Sequence, residues 1–165
     1  MRLNPLYRLT FEYSRTWEVG LEGENGTEAQ LFLLAEGAVT GRIVGRFQGS
    51  NFPRRRTDKT AVTEIRGVIE TDDGAALIVD CRGYGRAHTP AHDEVAGSHR
   101  RQWVATVTHL SEDSRYRWLN DVVCVGTGEV GPRAGGPAPA SPGLSSGPVS
   151  TLTLDVAELV WEPPP

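Results

Sequence analysis

The amino-acid sequence predicts an all-β protein, and within that class an antiparallel up-and-down β-barrel of about eight strands. Short segments alternate apolar and polar residues with the two-residue period of a strand buried on one face. Glycine, proline, asparagine and aspartate separate these segments, as they do at turns. No stretch of the sequence keeps the apolar period of an amphipathic helix for three turns. A β-sandwich is the alternative, and the barrel is favoured because closure removes two exposed sheet edges.

The predicted strands follow one another along a single domain, 1–165, mostly through short connections. The third strand places Ile43, Gly45 and Phe47 on one face. Residues 131–149 are mostly Pro, Gly, Ser and Ala, which predicts a disordered loop because they offer almost no bulky side chain to a core. The full set of predicted strands is 7–13, 29–36, 40–48, 61–71, 75–82, 101–108, 120–127 and 151–161.

The fourth and fifth strands are predicted to form a hairpin whose register follows from its turn. A three-residue turn at 72–74, with Gly74 in the left-handed conformation, pairs Arg66 with Asp80. If this charged face points outward, it is a solvated ladder of salt bridges that adds little stability. If it points inward, Asp80 can act as a base and Arg66 can stabilise developing negative charge. The same register pairs Glu64 with Arg82, Ile69 with Leu77, Gly67 with Val79 and Ile65 with Cys81.

Composition and charge exclude several classes of partner. A formal net charge of −4 argues against nucleic acid and against an anionic membrane surface. The run Arg54-Arg55-Arg56 is the local exception, and we interpret it as a solvated loop. No apolar run approaches the ~18 residues of a membrane span, and no signal-peptide core follows Met1. The sequence therefore predicts a cytoplasmic protein, with self-association into a homo-oligomer left open.

Motifs for cofactor and metal chemistry are missing from the sequence. It contains no P-loop, no Gly-x-Gly-x-x-Gly fingerprint and no Gly-x-Ser-x-Gly elbow, so no cofactor is predicted. His88, His92 and His99 share one loop, but a proline between the first two discourages a helix that would bring them together. We therefore predict no metal. Cys81 and Cys124 lie in apolar strands without CxxC spacing, which is typical of buried, reduced thiols.

Aromatic residues near the predicted strand ends are candidates for a ligand pocket at the barrel mouth. Tyr84, Trp103, Tyr116 and Trp118 either wall such a pocket or plug the core. Asn120, just before a predicted strand, either caps a turn or contacts the ligand.

Three stretches of the sequence resemble the domain-of-unknown-function 3237 (DUF3237) family. They are 41–49, 65–75 with its Glu-Thr-Asp-Asp-Gly motif, and 111–120 with Tyr-x-Trp-Leu-Asn, followed by Gly126. The resemblance implies a small barrel similar to lipocalin-like and allene-oxide-cyclase-like barrels. Because some members are associated with natural-product pathways, it also implies cofactor-independent ring closure of a small molecule. The match at Arg66 favours the inward orientation of the charged face.

The chain departs from the family pattern at positions that bear on a pocket. The family usually carries Gly-Gly-x-Asp-Trp after the third strand, whereas this chain has Asn51 at or near the acidic position. Gly67 stands where an aromatic residue is common, and His109 stands where phenylalanine is common. These departures from the family pattern imply a reshaped pocket.

The leading hypothesis is a small-molecule-binding barrel that acts as a cyclase or isomerase by acid/base and electrostatic catalysis. The alternatives are a non-catalytic binding module and a structural or partner-binding barrel whose interior is filled by side chains. The candidate catalytic residues are Arg66 and Asp80, and the candidate substrate-binding residues are Asn51, Tyr84, Trp103, Tyr116, Trp118 and Asn120.

Overall fold

A computed structural model of the chain describes residues 1–58, 60–88, 100–131 and 151–163. The predicted loop at 131–149 beyond Gly131, together with His92 and His99, lies outside the described residues. The strands are β1 (Arg2–Gly23), β2 (Gly26–Gly41), β3 (Gly45–Asn51), β4 (Arg54–Arg55), β5 (Ala61–Thr71), β6 (Ala76–His88), β7 (Arg100–Leu110), β8 (Cys124–Gly131) and β9 (Thr151–Val160). A short 3-10 helix, Arg117–Asp121, lies between β7 and β8.

The strands close into the predicted up-and-down antiparallel barrel. Each long strand pairs with the next one along the chain, and β9 pairs back onto β1. The two-residue strand β4 pairs with both β2 and β5, so it continues the wall beyond the end of β3. No helix within the described ranges is long and apolar enough to cross a membrane.

The hairpin β5–β6 has the predicted register. Arg66 lies opposite Asp80 and Ile65 lies opposite Cys81. The turn spans three residues, because the Thr71 N–H donates to the Ala75 carbonyl at 2.9 Å. Gly74 has φ of 87°, which is the left-handed conformation that this turn requires of its last residue.

Several predicted strands have different bounds in the structure. The first two, 7–13 and 29–36, lie within the longer β1 and β2, and β4 was not predicted. The predicted strand 40–48 is divided, because Gly41 ends β2 with φ of 130° and β3 begins at Gly45. The predicted strand 120–127 begins instead at Cys124. Asn120 belongs to the 3-10 helix, and its side chain bonds back to Ser111, accepting from the N–H at 2.8 Å and donating to the carbonyl at 3.0 Å. Such bonds offer the backbone an alternative to a strand ladder.

The two ends of the barrel differ. The lower end carries the β2–β3 and β5–β6 turns and the 3-10 helix, whose Leu119 is fully buried in the core. The upper end carries the β1–β2 hairpin, which continues on β1 well past Glu12, the last residue that pairs with β9. Aromatic side chains fill the middle, where Phe11 packs on Phe47 with ring centroids 5.6 Å apart.

Candidate ligand-binding site

Residues opposite one another on neighbouring strands form rows around the barrel, and each row rises along the barrel axis. The row that starts at Leu9 passes through Trp103 and Arg55 and returns to β1 at Gly20, farther up the strand. Such a climb is expected where the strands of a barrel tilt against its axis. Residues of different rows can therefore share one level of the interior. Asn51 pairs through Ile65 and Cys81 with Val107, which lies four residues below Trp103 on β7. Because this row rises from β7 to β3, we infer that Asn51 and Trp103 lie at about the same level.

Asn51, Tyr13 and Trp103 are polar side chains in the upper half of the barrel interior, and together they are called the upper cluster. The Asn51 amide donates to the Tyr13 hydroxyl oxygen at 2.6 Å. Asn51 and Trp103 expose only 4% and 2% of their surface, respectively. Nevertheless, the Asn51 Oδ1 and Trp103 Nε1 atoms have no hydrogen-bond partner among the described residues. Most buried polar atoms in proteins are paired, so an unpaired acceptor and an unpaired donor at one level require an explanation.

Small residues flank Trp103 along its row of the wall. Its neighbours in register are Gly85 on β6 and Gly128 on β8, and Ala61 follows Gly85 in the same row. Small residues beside a large one allow an indole to fit inside a narrow barrel. The row also leaves the inner wall between Trp103 and Arg55 without bulky side chains.

Arg55 stands at the upper rim and faces the barrel axis. Its neighbours in register, Ala29 and Ala61, are both buried, whereas Arg54 beside it is exposed and pairs with Glu28. An Arg55 Nη1 atom lies 3.4 Å from a carboxylate oxygen of Glu18. The Arg55 Nε atom is buried and has no partner within the described part of the chain. The interpretation of the arginine run as a solvated loop is therefore wrong for Arg54 and Arg55, which form β4, although the Arg54 side chain is exposed.

Tyr7, His109 and Cys124 form a lower polar cluster. The Tyr7 hydroxyl lies 2.8 Å from His109 Nε2, and His109 Nδ1 lies 4.0 Å from the Cys124 sulfur. Burial lowers the pKa of His109 to about 4 and raises the pKa of Tyr7 well above its usual value. Burial and then the charge of Glu158 raise the pKa of Cys124 to about 11. The three groups are therefore neutral at pH 7, and the thiol is not an activated nucleophile.

The other titratable groups on the inner wall are also neutral at pH 7. Burial raises the pKa of Tyr13 to about 12, against the opposing effect of the hydrogen bond from Asn51. Burial, followed by the charge of Asp80, raises the pKa of Cys81 to about 12. Nowhere in the described structure do three His, Cys, Asp or Glu side chains form a group that could hold a metal ion. The interior below the rim therefore offers uncharged hydrogen-bonding groups in an apolar wall.

The predicted catalytic pair lies on the outside of the barrel. Arg66 Nε contacts Asp80 at 3.2 Å, and both residues continue a ladder with Glu64 and Arg82. The side chains of Arg66 and Asp80 are 60% and 31% exposed. The inward orientation that a catalytic role required is therefore wrong, because the apolar face of the hairpin, with Ile65 and Cys81, fills the interior instead.

Four of the six predicted substrate-binding residues lie away from the upper cluster. Tyr84 is 58% exposed on the outer wall. At the lower end, Trp118 lies under the Arg42 guanidinium, 5.3 Å from its carbon to the ring centroid, and the Tyr116 hydroxyl donates to Asp73 at 2.9 Å. The Asn120 side chain is hydrogen-bonded to the Ser111 backbone. The structure brings Asn51 and Trp103 to one level of the interior.

Sequence reasoning missed Tyr13, Arg55 and the lower cluster. The alternation of the first predicted strand already placed Tyr7 and Tyr13 on the same face as Leu9 and Phe11, so two hydroxyls on an apolar face were a usable signal. Arg55 had no such signal. Its inward position depends on the break between β3 and β4, which the alternation of residues does not reveal.

Concavities on the outer wall include two that the described residues line. One, of about 680 Å³, lies where β1 is irregular between Pro5 and Tyr7, and it reaches Arg42 and Asp155. The other, of about 220 Å³, is lined by Ser50, Phe52, Glu64 and Arg66. Neither reaches the upper cluster.

The architecture defines a class of protein: closed antiparallel β-barrels with a plugged lower end and polar groups on the inner wall. The family model for proteins of unknown function DUF3237 matches residues 1–138. The chain belongs to this family, as its sequence motifs predicted.

Solved structures share the fold. A β-barrel-like protein from Acinetobacter baumannii is 20% identical, with a TM-score of 0.69 over 95% of this chain and 94% of that one. A conserved protein of unknown function from Rhodopseudomonas palustris is 19% identical, with a TM-score of 0.68 over 96% and 97%. A protein of unknown function from Clostridium acetobutylicum is 16% identical, with a TM-score of 0.70 over 97% and 100%. No curated protein matches the chain in sequence.

Proposed function

We propose that this protein binds a small molecule in the upper half of its barrel, between Asn51 and Trp103. The observation that carries the proposal is the pair of buried, unpaired atoms, Asn51 Oδ1 and Trp103 Nε1. Leaving one such atom unpaired costs about 1–3 kcal/mol, so the folded protein gains if a ligand satisfies both. Ligand sites typically combine an apolar wall with a few polar groups of this kind.

The two unpaired atoms define which hydrogen-bonding groups the ligand must have. Asn51 Oδ1 requires a hydrogen-bond donor, whereas Trp103 Nε1 requires an acceptor. Tyr13 adds a second donor, because its raised pKa keeps the hydroxyl protonated and its oxygen already accepts from Asn51. A hydroxyl or an amide on an apolar ring system satisfies these demands. An ordered water molecule is the competing occupant, and the experiment below separates the two.

Catalysis as a cyclase or isomerase is the second proposal, and it rests on Tyr13. A protonated tyrosine in an apolar site can donate a hydrogen bond to a substrate carbonyl as negative charge develops there. The acidic position of the family pattern holds the neutral Asn51, so no carboxylate base stands beside Tyr13 at that position. Binding is therefore the stronger proposal, and catalysis would be limited to steps promoted by neutral donors.

Isothermal titration calorimetry with 1-naphthol and naphthalene tests the binding proposal. We expect the wild type to bind 1-naphthol about tenfold more tightly than naphthalene, because the naphthol hydroxyl can both donate to Asn51 and accept from Trp103. The substitutions Asn51→Leu and Trp103→Phe should each reduce this preference. Trp118→Phe, at the lower end, is the matched control and should retain it. Equal affinity for the two probes in the wild type, or no binding of either, would contradict the binding proposal.

A further inference from the structure

We infer that the natural ligand is an apolar monocarboxylate whose carboxylate binds Arg55 at the upper rim. This inference rests on the proposed function and specifies its ligand class. The apolar body of the ligand would extend down the inner wall, past Ala61 and Gly85, and carry at its far end the hydroxyl or amide that pairs with Asn51 and Trp103.

The first support is the position of Arg55. Its backbone pairs with the buried residues Ala29 and Ala61, so its side chain leaves the wall on the inner face. One third of that side chain is exposed, which places the guanidinium where a ligand enters from solvent. Arg54 shows the contrast, because it points outward and contacts both carboxylate oxygens of Glu28, at 3.2 and 3.3 Å.

The second support is the unused hydrogen-bonding capacity of Arg55. A guanidinium presents five N–H donors in a planar fork that matches a carboxylate in two-point contact. Arg55 makes one contact of 3.4 Å with Glu18, while its buried Nε remains without a partner within the described ranges. A single long contact at a partly exposed site contributes little, so a ligand carboxylate can replace or join it at low cost.

The charge at the rim favours a monoanion. Glu18 stands beside Arg55 and repels added negative charge, so a doubly charged phosphate would meet one cation and one anion. A carboxylate needs a single guanidinium and suffers less repulsion. Below the rim, the titratable groups Tyr13 and Cys81 are neutral at pH 7, which suits the uncharged remainder of the ligand.

The path between the rim and the upper cluster is lined by small residues. Ala61 and Gly85 separate Arg55 from Trp103 along one row of the wall. A Cβ atom added at Gly85 would lie 3.7 Å from the Ala61 Cβ atom, which is an ordinary contact distance, so a small group meets no clash at this point of the strip. A flat apolar body can lie along this strip while its ends reach the two polar sites.

The test compares 1-naphthaleneacetic acid with 1-naphthaleneethanol, a neutral probe of similar shape, by calorimetry at pH 7. We expect the wild type to bind the acid at least about tenfold more tightly than the alcohol. Arg55→Met should remove that preference and leave the affinity for the alcohol unchanged. Arg54→Met removes the same charge on the outer face and should change neither affinity. Circular dichroism melts establish that both variants are folded.

The outcomes separate this inference from the proposed function. If the alcohol binds as tightly as the acid, while 1-naphthol keeps its preference over naphthalene, the carboxylate assignment fails and the binding proposal stands. If Arg54→Met weakens the acid as much as Arg55→Met does, general electrostatic attraction explains the preference and the Arg55 site is wrong. If neither probe binds the folded wild type, the carboxylate assignment fails, and the binding proposal fails with it when 1-naphthol does not bind either.

Discussion

The lower and upper halves of the barrel contain similar polar groups in opposite states of hydrogen bonding. In the lower half, Tyr7 contacts His109, and His109 lies against Cys124, while Leu119 closes the end. In the upper half, Asn51 and Trp103 each keep a buried atom without a partner in the described structure. The lower half therefore has the paired groups of a structural core, and our binding proposal assigns the upper half to a ligand. The following substitutions test this division.

Leu119→Ala should have the largest effect. The residue is fully buried in the core at the lower end, and truncating such a leucine costs about 2–5 kcal/mol through lost burial and the cavity left behind. Leu110→Ala is the matched control, because Leu110 is 62% exposed and its truncation should change stability by less than about 0.5 kcal/mol. Urea unfolding measures both. Equal effects would mean that the helix does not close the lower end.

Acid should destabilise the protein through His109. Its pKa in the folded protein is about 4, below the ~6.5 of an unfolded histidine, so the unfolded chain binds the extra proton between these values. The stability that comes from a neutral, buried His109 is fully present above pH ~6.5. It is lost as pH falls toward 4, by about 3 kcal/mol in total.

Urea unfolding between pH 7 and 4.5 measures the loss, with His109→Gln as the comparison. The amide of glutamine can still face Tyr7 but does not titrate, so the variant should lose less stability over this range. A parallel decline in both proteins would assign the acid sensitivity to other groups.

Tyr7→Phe should cost about 1–3 kcal/mol, because it leaves the buried His109 Nε2 atom without its partner. Asn51→Leu, in the upper half, should cost less, since it removes an acceptor that is already unpaired as well as the donor to Tyr13. Chemical denaturation of the two variants under one condition gives the comparison. If Asn51→Leu proves the more costly, the upper cluster is structural and the division of the barrel fails.

Arg66→Ala should have the smallest effect, less than about 1 kcal/mol, because the outer ladder is exposed and its partners retain Arg82. Thermal melts at low and high salt measure it, and the small difference should shrink further as salt screens the charges. A loss of several kcal/mol would show that the ladder contributes more than exposed pairs usually do.

Local patterns in the sequence were enough for the barrel and for one hairpin in register. The turn residues 72–74, with Gly74 at the left-handed position, specify how Arg66 and Asp80 meet. The motifs of 65–75 and 111–120 led to the correct family. Asn51 and Trp103 were also predicted as pocket residues, and the structure buries both.

Local sequence patterns did not predict where the remaining side chains lie. Tyr84 and Trp118 are aromatic and lie near strand ends, yet both side chains remain substantially exposed. Arg55 and Arg54 are identical in type and adjacent in sequence, but the break after β3 turns one inward and leaves the other outside.

The sequence by itself determined most of the strands and turns and the alternation that makes one face of a strand apolar, because these properties arise from neighbouring residues and turn chemistry. Tertiary structure decided which polar groups meet inside. Closure of a tilted barrel brings residues of different rows to one level, so the neighbours of Tyr13, Asn51, Trp103 and Arg55 depend on the pairing of every strand around the wall. That dependence on the whole ring is why the pairing of Tyr7 with His109, and the unpaired atoms above it, become visible only in the folded barrel.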